Sequence, residues 1–127
     1  MPWVVRRILE GMIFHARRRR NIEPFRQASP THRVNSQAPP FFVLHGERDS
    51  LIDVEDARTF VRRLRAVSNQ EVLYAELSAA QHAFDLVPSL RSGLAIEAVE
   101  RFLSAVWSQR RGAQAREAAP SRDASAA

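Results

Sequence analysis

Two short apolar runs separated by one helical pattern constrain this chain more than anything else in it. The first run, Phe41 to Leu44, lies between Pro39-Pro40 and the pair His45-Gly46. The second, "EVLYAEL", spans residues 71–77. Between them Val54, Ala57, Phe60, Val61 and Leu64 recur at helical spacing, which predicts a helix over 54–67. Asp53 can cap its start, Glu55 and Asp56 suit the positive end of its dipole, and Arg62, Arg63 and Arg65 suit the other end. A second helical pattern follows over 92–109, with Leu94, Ala98, Phe102, Leu103, Val106 and Trp107 as its buried face and Glu97 one turn before Arg101. A four-residue apolar run with no polar alternation suits a strand buried on both faces. Strand, helix, strand, helix is the order of a parallel α/β sheet with a right-handed crossover.

The flanks differ in character. Residues 3–16 read as an amphipathic helix, and with the run Arg17–Arg20 they form a basic segment over 1–20. Residues 21–40 hold four prolines and many polar side chains and read as a long connection. Residues 110–127, rich in Arg, Ala and Ser, read as a disordered tail. The net charge of +5 comes from these ends, because residues 41–109 carry seven Arg against ten acids. A basic balance of that origin is a poor sign of nucleic-acid binding, which needs positive charge on a folded face. All the basic residues are arginine, a bias that reads as genomic composition. The absence of cysteine excludes a disulfide framework, a thiolate metal site and a cysteine nucleophile. No stretch is long and apolar enough to span a membrane, and the N-terminus lacks a signal-peptide pattern, so the cytoplasm is the expected location.

In open parallel sheets, ligands bind beyond the carboxyl ends of the strands. Asp49 lies just past the first strand and His82 just past the second, so both should emerge at one edge of the sheet. Adjacent strands are about 4.8 Å apart, close enough for a carboxylate on one loop to reach a ring on the next. An Asp bonded to one imidazole nitrogen fixes the tautomer and leaves the other nitrogen as a general base.

The segments "APPFFVLHGERDSLIDVEDARTFVRRLR" (38–65) and "YAELSAAQHAFD" (74–85), with "SP" at 29–30, resemble the C-terminal part of α/β-hydrolase esterases. The likeness is to the lipase, esterase and acetyl-hydrolase group, and more distantly to prolyl-oligopeptidase-type hydrolases. It covers residues 21–109. It implies a partial α/β-hydrolase fold, the C-terminal strand-helix-strand-helix of a parallel sheet, with the N-terminal amphipathic helix added. It also implies serine-dependent ester hydrolysis, with Asp49 as the triad acid, His82 as the triad base, and no cofactor or metal. Two positions depart from the group's usual pattern: Asp53 stands where proline is usual, and Ala79 where glycine is usual. The nucleophile motif Gly-x-Ser-x-Gly is a further departure. The four glycines are Gly11, Gly46, Gly93 and Gly112, and no two of them are four residues apart. The expectation is therefore a hydrolase fragment that bears the acid and base, has its serine and oxyanion loop N-terminal to residue 1, and is inactive alone.

Other readings compete. His45 reads as a strand-end packing residue, and His15 and His32 carry no signal. A metal site from His45, Asp49, His82 and Asp85 has suitable ligand types but no short ligand spacing. Residues 3–20 suit either packing on the missing part of a hydrolase or contact with an anionic membrane. The alternative to a hydrolase piece is a non-catalytic interaction module, docking on a partner chain or on a membrane through the basic N-terminal helix. Ester substrate is expected only if the missing part is supplied, and no nucleic-acid partner is expected.

Overall fold

A computed structural model describes residues 22–118. The basic helix expected over 1–20 lies outside the described residues, as do residues 119–127. Within 22–118 the chain divides into two compact units, with the boundary between Val87 and Pro88.

The first unit holds helix α1 (Glu23–Ala28), a 3₁₀ turn (Pro30–His32), strand β1 (Phe41–Gly46), helix α2 (Val54–Val67), strand β2 (Val72–Leu77) and a second 3₁₀ turn (Phe84–Leu86). The expected long connection over 21–40 is thus partly ordered. Pro24 in the first turn of α1 and Pro30 at the start of the 3₁₀ turn fix φ where no amide donor is needed. Helix α2 has the limits its apolar spacing predicts. Asp53 caps it by accepting the Glu55 amide at 3.0 Å, a contact of a kind worth about 1 kcal/mol. The aspartate at a position where proline is usual in the resembling group therefore does local work of its own.

The two strands pair in parallel, from Phe41 opposite Val72 to Gly46 opposite Leu77. Alternate side chains point to opposite faces. Phe41, Val43 and His45 share one face with Val72, Tyr74 and Glu76. On that face Val61 and Leu64 of α2 are buried with Val72, and Phe41, Val43, Phe60 and Tyr74 pack around them. Phe41 meets Phe60 edge-on, with centroids 5.7 Å apart. Arg58 of α2 forks onto Glu76 of β2, at 2.8 and 2.5 Å, and Tyr74 donates to the same carboxylate at 2.9 Å. The Arg58 fork and the Tyr74 hydroxyl hold the Glu76 carboxyl below its usual range. Arg65 donates twice to the Val72 carbonyl, tying the end of α2 to the start of β2.

The opposite sheet face carries Phe42, Leu44, Leu73, Ala75 and Leu77. Full burial of β1 on both faces does not occur. Phe41 to His45 are half-buried, because a sheet of two strands has two edges and few neighbours.

The second unit contains α3 (Leu90–Glu117). Its start is closed by a capping box, in which the Ser89 hydroxyl accepts the Ser92 amide and the Ser92 hydroxyl accepts the Ser89 amide. This helix departs from expectation twice. It continues through residues 110–117, where a disordered tail was expected, since Ala and Arg in that stretch are strong helix formers. Leu94, Leu103 and Trp107, assigned to a buried face, are exposed, while Phe102 and Val106 are half-buried. No helix among the described residues is long and apolar enough to cross a membrane.

The buried apolar residues among those described are Val61, Leu64, Val72, Ala80 and Ala95. The buried cluster on the two-stranded sheet is only Val61, Leu64 and Val72, and a core that small supplies little beyond the entropy cost of ordering the chain. The isolated 127-residue chain should therefore unfold broadly on heating, without a steep transition in circular dichroism. A sharp, cooperative melt of the monomer would contradict this.

Candidate active site

The parallel register places the two strand ends side by side, and each strand leaves the sheet through a tight turn. After β1 the Asp49 amide donates back to the Gly46 carbonyl at 3.1 Å. After β2 the Ala80 amide donates to the Leu77 carbonyl at 3.1 Å. Because Gly46 and Leu77 are register partners, the two turns begin level with each other. They are also stitched together: the Glu47 amide donates to Leu77 and the Arg48 amide to Ala80, both at 3.0 Å.

Gly46 is what allows this approach. A Cβ there would stand 2.5 Å from the Ala80 carbonyl oxygen and 3.0 Å from that of Gln81. Gly46 has no positive φ. Its role is to admit the neighbouring loop, and the reversal of the chain falls to the turn that follows it.

Asp49 is almost sealed from water, with its side chain 5% exposed. One oxygen, Oδ1, accepts the amides of Leu51 and Ile52, both at 2.8 Å. The other, Oδ2, accepts Nδ1–H of His82 at 2.8 Å. The carboxylate is thus oriented by its own following backbone, and its free edge is directed at the ring. His45, in β1, donates from Nε2 to the Ile52 carbonyl at 3.1 Å and sits 3.7 Å from Asp49 Oδ2. It braces the turn that supplies two of the amides.

Burial alone would raise the Asp49 pKa. The Ile52 amide, His82 and the Leu51 amide outweigh it, so the carboxyl lies below the ordinary aspartate range. His82 is 46% exposed at its side chain, so Nε2, on the far side of the ring from Asp49, is open to a second reactant.

The histidine loop departs from ordinary backbone at two positions. Ala79 has φ 57° and Ala83 has φ 54°, both left-handed. That region typically costs a residue with a Cβ about 1–3 kcal/mol and persists only where its surroundings enforce it. The glycine usual at position 79 in the resembling group has its physical reason here. Glu47 contributes to the enforcement, since its Oε2 accepts both the Ser78 hydroxyl and the Ala79 amide at 2.9 Å.

The structure thus brings together the two residues singled out from the sequence, Asp49 and His82. His45 lies beside them, in a bracing role that goes beyond strand-end packing. Asp85 is not among their contacts, and among the described residues no group of three or more acidic or histidine side chains is gathered as a metal would need. Sequence reasoning missed Glu47. Its partners are 31 and 32 residues away, and nothing local in "HGER" announces them. A polar surface depression lined by Glu23, Arg26, Gln27, His32 and Arg33 shares no residue with this group.

Comparison with known proteins bears on the same segment. The chain is 49% identical over 100 residues to the probable carboxylic ester hydrolase LipM of Mycobacterium tuberculosis, an alignment covering 79% of this chain and 23% of that protein. It is 48% identical over 102 residues to Esterase LipC of the same organism, covering 80% and 25%. Among solved structures, the propionate-bound esterase Est2 of Thermogutta terrifontis superposes with a TM-score of 0.61 at 21% identity, covering 70% of this chain and 34% of that one. The chain belongs to the α/β-hydrolase superfamily. A family model described as BD-FAE matches residues 6–64, which include Asp49 but not His82. This α/β-hydrolase chain spans about a quarter of the length of the curated relatives it matches.

Because the folded-state pKa of Asp49 is depressed, its contribution to stability is present above the unfolded value of about 3.9 and is lost as pH falls through the lower folded value. A chimera can be made in which this chain replaces the matching segment of a LipM-type esterase. In it, the ¹³C shift of the Asp49 carboxyl should titrate with a midpoint below about 3.9. A midpoint at or above that value would contradict the hydrogen-bond account.

Proposed function

We propose that this chain is the acid- and base-bearing portion of a serine carboxylic-ester hydrolase. The observation that carries the reading is the hydrogen bond from His82 Nδ1 to a buried, amide-anchored Asp49. Its geometry suits a general base held in one tautomer.

In the proposed reaction, a serine supplied from outside this chain attacks the ester carbonyl. His82 Nε2 takes the serine proton as the C–O bond forms, and the ring becomes an imidazolium. Asp49 Oδ2, already bonded to Nδ1–H, stabilises that charge without accepting the proton. When the tetrahedral intermediate collapses, Nε2 returns the proton to the departing alkoxide. The acyl-enzyme is then opened by water, with His82 again taking and returning a proton. The low Asp49 pKa supports this division of labour, because an anion is needed opposite the ring across the working range. The exposure of the ring supports it as well, because Nε2 must reach a nucleophile. The lack of any Gly-x-Ser-x-Gly in the 127 residues means that the chain supplies no nucleophile of that motif.

The tests follow from these roles. The purified chain alone is expected to give no p-nitrophenyl ester turnover above a blank. Turnover that disappears in His82→Ala would overturn the inactivity. In the LipM-type chimera, His82→Ala should lower kcat by about 10⁴-fold, and Asp49→Asn by about 10³–10⁴-fold. An asparagine would keep its carbonyl on the Leu51 and Ile52 amides and turn its NH₂ toward His82. That inverts the ring tautomer and protonates the nitrogen that has to act as base. Retention of full activity by either variant would refute the assignment.

A further inference from the structure

We propose that Glu47 is a positioning residue for His82, acting by holding the Leu77–Ala80 turn in the left-handed conformation that delivers the histidine loop onto Gly46. The proposal rests on the acid–base reading above and deepens it.

Ala79 is the third residue of a turn closed from the Ala80 amide to the Leu77 carbonyl, and its φ is 57°. Glycine adopts that torsion freely and alanine does not. Something must hold the turn. The Glu47 amide donates to the Leu77 carbonyl, and the Arg48 amide to the Ala80 carbonyl. These backbone bonds fix the two ends of the turn and leave its middle unconstrained. The middle is held by Glu47, whose Oε2 accepts the Ser78 hydroxyl and the Ala79 amide together, both at 2.9 Å. The Ala79 N–H is directed at that oxygen only while Ala79 keeps its present torsion, so the carboxylate selects the conformation as well as binding it.

Glu47 is also charged where it needs to be. The Ala79 amide, and after it the Ser78 hydroxyl, hold its carboxyl below the ordinary glutamate range. The groups facing it are those two donors, with Arg48 adding attraction and Glu76 repulsion from farther off.

Three residues after Ala79 comes His82, whose Nδ1 must meet Asp49 Oδ2. The backbone that carries the ring runs from the clamped turn across Gly46, with no room for displacement toward the strand. If the turn relaxes at Ala79, the ring leaves the carboxylate. Glu47 therefore acts on the base through the loop, and it need not touch substrate.

The test uses the LipM-type chimera, in which the full chain is present. Glu47→Ala should lower kcat about tenfold, leave KM within twofold and leave the melting temperature nearly unchanged. Glu47→Gln, which keeps a carbonyl oxygen but loses the charge, should fall between wild type and Glu47→Ala. Ala79→Gly supplies the rescue, because glycine needs no clamp. In the Ala79→Gly background, Glu47→Ala should cost less than threefold. The His82 Nδ1 proton should resonate far downfield in the parent chimera, broaden or move upfield in Glu47→Ala, and return in the double variant. Should Glu47→Ala abolish folding of the chimera, amide exchange at Ala79 in the Glu47→Gln chimera reads the same clamp, and exchange there no faster than in the parent chimera would overturn the proposal. Unchanged kcat in Glu47→Ala, or an equal loss with and without Ala79→Gly, would overturn it as well. Either result alongside a large His82→Ala effect would leave the acid–base reading standing. A silent His82→Ala would remove that reading instead.

Discussion

The structure depends on a parallel register that sets Gly46 level with Leu77. Parallel strands end on the same side of a sheet, and here they also end at the same height, so the two departing turns meet instead of passing each other. Everything specific at this edge follows from that meeting: the two cross-turn amide bonds, the lodging of Ala80 over Gly46, and the reach of His82 to Asp49. A register slip of one residue would reverse the faces of a whole strand and separate the turns. The register is secured away from the edge, by Val72 in the α2 core and by the Arg65 donors to its carbonyl.

The helix that covers the sheet contributes at the site end as well. Arg58 stands one turn into α2 and holds Glu76, which is the register partner of His45. His45 in turn holds Ile52, whose amide helps orient Asp49. Helix, strand and turn are thus joined by a short sequence of polar contacts on the same face as the apolar cluster. The contributions differ in kind. Burial of Val61 and Leu64 supplies stability, whereas the exposed ion pairs add little stability and serve mainly to fix direction.

What was legible in the sequence, and what was not, divides along physical lines. The limits of α2 could be read because its apolar spacing, its Asp53 cap and its charge distribution all act within a few residues of one another. The pairing of Asp49 with His82 could be read because strand direction alone brings the two loops to one edge. Glu47 could not be found that way, since its partners Ser78 and Ala79 lie across the sheet and are reached by a side chain whose rotamer no local pattern specifies. The end of α3 is not legible for another reason: an Arg- and Ala-rich segment is compatible with both solvated coil and helix. The expected burial of Leu94, Leu103 and Trp107 failed similarly, because helical spacing shows which residues share a face but not whether anything covers it.

The close contact at Gly46 also has an evolutionary consequence. Every single substitution there adds a Cβ into the Ala80 carbonyl, so the position has no graded neighbours through which it could drift. Change at the strand end would have to be preceded by change in residues 78–81 that lifts the loop, and that lift would itself separate the acid from the base. Gly46 should therefore be kept among active descendants wherever the Ala80–Gln81 backbone keeps its path over the strand end, even where a side chain in that loop changes, as at position 79.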